Sequence, residues 1–277
     1  MPFCKVNKAN IYYEDKGTGK PIVMIHGFSP DHRLMSGCME PLFDKRTGLR
    51  RIYIDLPGMG QTKDYEQINN TDEMLEVVID FIDTLLPNES FLLAGESYGG
   101  YLTRGIIGER NEQILGAAFI CPMIIPGKKD RTLPDPFIVH SDREFLSTLT
   151  KDELDQFSTN QVVLDEYNWK RYTEEVMAGC QIADEEFLVK IQKSYGLSFS
   201  LDEVGFKKPS VFLLGKQDSV AGYEDALHII DKYPRGTFAV LDRAGHNLQI
   251  EQSTLFNSLI NDWLDRVDEY TDEGDVQ

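Results

Sequence analysis

Phe91-Leu92-Leu93-Ala94-Gly95-Glu96-Ser97-Tyr98-Gly99-Gly100 is the stretch that decides the fold. Its opening residues form an unbroken apolar run, the pattern of a strand buried on both faces. Gly-x-Ser-x-Gly follows, and then Tyr101–Arg110, which reads as a helix. In so tight a turn, strand and helix nearly touch. Side chains at Gly95 and Gly99 would clash there, and the turn lifts the Ser97 hydroxyl above the sheet edge. The helix N-terminus beneath favours developing negative charge.

Working outward, comparable apolar runs recur at Pro21–Ile25, Arg51–Ile54, Gly116–Cys121, Ser210–Leu214 and Phe238–Leu241. Two shorter strands open the chain, around Cys4–Val6 and Ile11–Glu14. Between the runs lie helical patterns. Asp72–Leu86 places Met74, Val77, Val78, Phe81, Ile82 and Leu85 on one face, with Asn70 or Thr71 to cap it and Pro87 to end it. Gly222–Lys232 and Ser253–Val267 read as further helices. Such alternation predicts an α/β fold with a mostly parallel central sheet and helices on both faces. It breaks once. From about Gly127 to Phe206 there is no strong strand, only amphipathic stretches at Ser141–Leu149, Lys151–Phe157, Leu164–Val176 and Asp184–Tyr195. The expected organisation is a core of residues 1–126 and 207–277, with a helical cap, 127–206, inserted over one end of the sheet.

Net charge narrows the partners. With 28 basic and 46 acidic residues the chain carries −18, which repels phosphate backbones and anionic lipid heads. Nucleic acid and membrane surfaces are not expected as partners; a small molecule is. The four cysteines are far apart and form no metal-binding or disulfide pattern. The start of the chain has no apolar leader, and no run of about 18 apolar residues exists. A cytoplasmic protein is expected. The acidic last ten residues, Asp268–Gln277, read as a frayed, solvated end.

A serine hydroxyl is a weak nucleophile at neutral pH and needs a base. Of five histidines, His26 ends a strand within another motif, His32 lies in the loop after it, His140 in the insertion and His228 in a helical stretch. His246, in Ala244-Gly245-His246-Asn247, falls between the last strand and the last helix, at the same sheet edge as Ser97. Its other ring nitrogen needs a partner to hold the tautomer. Asp218 follows the strand Ser210–Leu214 and so also leaves from that edge, whereas Asp242 ends a strand and points elsewhere. Ser97 as nucleophile, His246 as base and Asp218 as orienting acid are the candidate catalytic residues. This chemistry requires no metal and no organic cofactor.

The order Ser, Asp, His, the Gly-x-Ser-x-Gly turn and the helical insertion together resemble the α/β-hydrolase superfamily, over roughly Ile11 to Val267. In that family the acid can instead follow the strand before, but Cys121–Pro126 contains no acidic residue. The resemblance implies an oxyanion hole formed by two backbone N–H groups. One belongs to the residue after His26-Gly27, here Phe28; the other to Tyr98, directly after the nucleophile. It also makes Asp55-Leu56-Pro57-Gly58-Met59-Gly60 similar to the family's Asp-x-x-Gly-x-Gly loop, with a structural role. The cap would then be a lid. Phe28, Tyr98, Met123 and the cap residue Trp169 are the expected substrate contacts, with Ile124 beside them.

The implied activity is hydrolysis of a small, mostly uncharged carboxylic ester through an acyl-enzyme, by a monomer or homodimer. Other readings stay open. An aminopeptidase similar to proline iminopeptidases would need a lid carboxylate for the substrate ammonium, for which Glu174 and Glu175 are candidates. His26-Gly27-Phe28-Ser29-Pro30 departs from that family's His-Gly-Gly-Pro-Gly, however. A C–C bond hydrolase would share the same residues, and a ligand-sensing protein could retain them. Relatives that use a carboxylate nucleophile are excluded by Ser97.

Overall fold

The computed structural model describes residues 3–274. Eight strands form one sheet: β1 (Phe3–Lys5), β2 (Asn10–Lys16), β3 (Lys20–Ile25), β4 (Leu49–Ile54), β5 (Phe91–Glu96), β6 (Ile114–Ile120), β9 (Ser210–Gly215) and β10 (Gly236–Leu241). Their spatial order is β1-β2-β4-β3-β5-β6-β9-β10. Strand β2 runs antiparallel to both its neighbours; every other pairing is parallel. The parallel strands therefore deliver the residues that follow them to one rim.

Burial on both faces accounts for the unbroken apolar runs. Along β3, Val23 and Ile25 join one hydrophobic cluster while Ile22 and Met24 join another. The first cluster packs under α2 (Thr71–Leu85) and α3 (Tyr98–Arg110), the second under α1 (His32–Phe43) and the C-terminal α11 (Ser253–Gly274). Asn70 caps α2, its side chain accepting from the Glu73 N–H. Trp263 of α11 is fully buried and donates its indole N–H to the Pro209 carbonyl at 3.1 Å.

Three elements differ from the sequence reading. Helix α1 was not foreseen, because Gly37 and Pro41 interrupt its helical signal; tertiary packing and the Asp31 cap hold it. The stretch Gly222–Lys232 yields only α9 (Glu224–Leu227) and a 3₁₀ turn, Ile230–Lys232. The acidic end is not frayed as far as Gly274: α11 continues through it, and Asp268 pairs with Lys20 at 2.9 Å and Arg46 at 2.8 Å. Residues 275–277 of that expectation lie outside the described residues.

Between β6 and β9 the chain forms α4 (Arg143–Leu146), α5 (Lys151–Asn160), α6 (Glu166–Arg171), a π-helical turn (Tyr172–Met177), α7 (Ala178–Cys180) and α8 (Glu185–Gln192). Two short strands, β7 (His140–Ser141) and β8 (Val163–Leu164), pair in parallel. Phe157, Leu164, Tyr172 and Val176 give this segment its own small core, which joins Leu34 of α1 and Ile250 of α10 (Leu248–Glu251).

Candidate active site

Ser97 stands between β5 and α3 with φ +51° and ψ −114°, a conformation L residues rarely adopt. Other non-glycine residues that follow the parallel strands also have positive φ: Ser29 after β3, Cys121 after β6 and Arg243 after β10. Strain held in this way is characteristic of functional sites. The glycines around Ser97 are sterically required. A Cβ on Gly95 would strike Thr103 Oγ1 and the Gly99 carbonyl, and one on Gly99 would strike the carbonyl oxygens of Ile25 and His26. Both glycines thus let α3 close onto the sheet.

Ser97 is fixed by its neighbours on the rim. Its N–H donates to Ile120 O at 3.0 Å, and its carbonyl accepts from Met123 N–H at 3.0 Å and Tyr101 N–H at 3.1 Å. The hydroxyl Oγ lies 2.9 Å from His246 Nε2, and His246 Nδ1 lies 2.9 Å from Asp218 Oδ2. Asp218 is fully buried. Its other oxygen accepts the N–H groups of Val220 at 2.8 Å and Ala221 at 3.0 Å, so the carboxylate is anchored before it meets the ring. Three residues distant in sequence converge in one hydrogen-bonded chain. Asp242 is elsewhere, accepting from Gln217 at the surface.

Electrostatics favour a positive ring at position 246. Burial works against the imidazolium, but the Asp218 carboxylate and then Glu96 outweigh it, and the pKa rises from 6.5 to about 9. Glu96, the second residue of the Gly-x-Ser-x-Gly turn, is buried with Oε1 3.4 Å from His246 Nε2. Burial pushes its carboxyl up to about 7, against the pull of His246 and of the Gly27 N–H. Sequence reasoning passed over this residue, although it stands within the decisive motif.

The loop after β3 supplies the facing wall. His26 is fully buried and braces the strand ends: its Nε2 accepts the Leu56 N–H at 3.0 Å, leaving it out of the chemistry. Asp55 accepts from His32 N–H at 2.8 Å and from Gln61 N–H at 2.7 Å, and holds His32 Nδ1 at 2.7 Å. Its loop is thereby tied to α1. The Phe28 N–H meets no acceptor among the described residues, and the Tyr98 N–H is the first of α3, where a helix leaves its donors open.

A cavity of about 780 Å³ opens over Ser97, lined by Phe28, Met123 and His246 from the rim and by Asn160, Val176 and Tyr195 from the segment above. Two expected substrate contacts are not on its wall. Tyr98 has a fully buried side chain, its hydroxyl 3.0 Å from Thr71 Oγ1 and its ring stacked on Tyr195 at 5.0 Å. It supports the wall from behind. Trp169 faces Phe157 at 5.1 Å within the small core of the insertion, where its large ring finds apolar partners. Ile124 likewise packs into the main core. The carboxylates Glu174 and Glu175 do not line the cavity: Glu174 is exposed, and Glu175 is bound by Arg171 at 2.6 Å against Gly37.

Glu251, also unforeseen, ties the insertion to the loop of His246. One of its oxygens accepts the N–H of Val162 at 2.6 Å and of Val163 at 3.3 Å, and the other that of Gly245 at 2.5 Å.

Comparison with known proteins agrees with this architecture. A crystal structure of an alpha/beta superfamily hydrolase from Oenococcus oeni PSU-1 superposes with a TM-score of 0.88 and 29% identity, covering 97% of this chain and 100% of the other. The AB hydrolase superfamily protein YisY of Bacillus subtilis is 25% identical, over 90% of this chain and 93% of its own length. A pimeloyl-[acyl-carrier protein] methyl ester esterase of Legionella pneumophila is 23% identical, over 92% and 99% respectively. No helix among the described residues is long and apolar enough to cross a membrane. The family model for the alpha/beta hydrolase fold matches residues 20–253, and the chain belongs to that family.

Proposed function

We propose that the chain is a serine hydrolase that cleaves a small carboxylic ester in two acyl-transfer steps. His246 Nε2 takes the proton of the Ser97 hydroxyl as Oγ attacks the ester carbonyl carbon. The oxyanion so formed accepts the N–H groups of Phe28 and Tyr98, donors of a kind worth about 10²–10³ in rate each. The imidazolium then protonates the departing alkoxide. Water, deprotonated by the same imidazole, attacks the acyl-enzyme and returns Ser97. Asp218 holds the ring in the tautomer that presents a bare Nε2 to the hydroxyl. Residues 127–206 act as a lid that shapes the pocket.

One observation carries this reading: the continuous contact Asp218–His246–Ser97, at 2.9 Å on each side, at the floor of a cavity. The esterase-named relative supports the choice of ester over amide. The aminopeptidase reading lacks its ammonium partner, since Glu175 is consumed by Arg171 and neither lid carboxylate reaches the cavity.

The test is turnover of a panel of aryl esters by the wild type and by Ser97→Ala, with folding checked by circular dichroism. Loss of at least about 10³-fold in kcat/KM is expected. A fluorophosphonate should add one adduct to the wild type and none to the variant. Equal turnover by the two proteins overturns the assignment of Ser97.

A further inference from the structure

The chain is strongly acidic, yet the wall of its cavity is not. Arg131 and Lys128 both line it, and among the described residues neither has a carboxylate within ion-pair distance. Arg33 and Arg171, by contrast, are each paired, the first with Asp31 and the second with Glu175. Glu96 is the one acid among the described lining residues, and its carboxyl is already engaged with the Gly27 N–H and His246.

Arg131 is held rigidly. Nε donates to Ile125 O at 2.7 Å, Nη1 to Val220 O at 2.8 Å, and Nη2 to Pro126 O and Met123 Sδ, both at 2.9 Å. A guanidinium has five N–H groups, so one on Nη1 stays open. These partners fix the position of the charge without cancelling it, and burial pulls the pKa of the group down accordingly. Tyr195 stands beside it: Gly196 packs on the same Pro126 whose carbonyl Arg131 holds, and Tyr195 and Arg131 each perturb the other's ionisation. Tyr195 lines the cavity, and its hydroxyl makes no hydrogen bond among the described residues. A guanidinium with one N–H open, a phenol without a hydrogen-bond partner and an exposed lysine thus line the same cavity.

We propose that this wall binds a carboxylate, and that the substrate is an ester bearing a second, ionised carboxyl group. The inference rests on the hydrolase reading and specifies its substrate class. Arg131, Tyr195 and Lys128 receive the anion while the ester carbonyl lies at Ser97. One water is consumed, and the products are an alcohol and an acid, one of which carries the recognised carboxylate. Charge-assisted hydrogen bonds of this kind change affinity by about 10- to 100-fold.

Matched pairs test it on either side of the scissile bond: the mono-4-nitrophenyl ester of glutaric acid against 4-nitrophenyl glutaramate, and acetoxyacetate against acetoxyacetamide. In at least one pair the charged member should be preferred about tenfold or more, chiefly in KM, with the preference shrinking as salt is raised. Tyr195→Phe, which removes one oxygen, and Arg131→Gln should each drive that ratio toward one. Preference for the uncharged member in both pairs, or a ratio untouched by both variants, overturns the proposal. If no ester is cleaved, the hydrolase reading fails separately. Calorimetry of glutarate with Ser97→Ala then decides alone: binding weakened in the Ser97→Ala/Tyr195→Phe double variant supports the site, and no binding refutes it.

Discussion

Replacing Gly99 with alanine tests whether the tight turn positions Ser97, the proposed nucleophile. An ideal Cβ at Gly99 lies 2.6 Å from the His26 carbonyl oxygen, and closer still to that of Ile25. Carbon and oxygen come no nearer than about 3.3 Å even in weak C–H···O contacts. Both obstacles are backbone atoms of β3 and the residue after it, so neither can rotate away. The N-terminus of α3 must therefore retreat by about 0.7 Å or more from the His26 carbonyl. Ser97 and the Tyr98 N–H ride on that turn. Overpacking of this kind costs about 1–3 kcal/mol, and a misplacement near 1 Å costs about 10² in rate. Gly108 is the control. It lies in the same helix, is exposed, and its Cβ would meet only Val204 Cγ2, at an ordinary 3.4 Å. Gly108→Ala should gain about 0.5–1 kcal/mol from helix propensity and leave kcat alone. Thermal unfolding and aryl-ester kinetics on both variants decide the matter. If Gly99→Ala keeps the wild-type Tm and kcat, or Gly108→Ala loses as much, steric closure at Gly99 is not what sets the turn.

Two further predictions concern buried carboxyls. A general base works only when neutral, so with His246 in its proposed role, a pKa raised from 6.5 to about 9 moves the ascending limb of kcat/KM to alkaline pH. The rate should climb about tenfold per pH unit below that value and level off above it. Glu96 contributes to the rise, so Glu96→Gln should shift the limb toward lower pH; a pH–rate profile that moves the other way contradicts the electrostatic account. Glu251→Ala orphans the Val162 and Gly245 N–H groups, at about 1–3 kcal/mol each. Urea denaturation should register the sum, about 2–6 kcal/mol, and limited proteolysis should cut faster near residues 160–165. Unchanged protection there would show that Glu251 does not fasten the insertion.

The sheet was legible because its strands are buried on both faces. Val23 and Met24 are equally apolar although they serve opposite clusters, and a short run with no polar interruption suits a strand covered on both sides. Helix α1 was illegible for the opposite reason. Its Gly37 is needed where the Glu175 side chain packs onto it, and a requirement of tertiary contact looks in sequence like a helix breaker. Chain order and strand ends placed Ser97, Asp218 and His246 on one rim, because parallel strands all discharge there. The pocket wall could not be read in that way. Whether Tyr98 faces the cavity or stacks on Tyr195 depends on how the chain near position 195 returns over the rim, and no local pattern encodes that return.

Substrate charge marks the same limit. A total of −18 sets the field far from the surface, where charges add and salt screens them. Inside a cavity the nearest fixed groups dominate, because the intervening medium is less polar and the distances are short. From the total alone, an uncharged ester was the expectation. The local inventory reverses the sign: Arg131 and Lys128 on the wall are unpaired among the described residues, and Glu96 is half-neutralised near pH 7 by its own burial. An acidic exterior and an anion-seeking interior are compatible. The exterior slows the approach of an anion, whereas the nearest groups of the wall determine what remains bound.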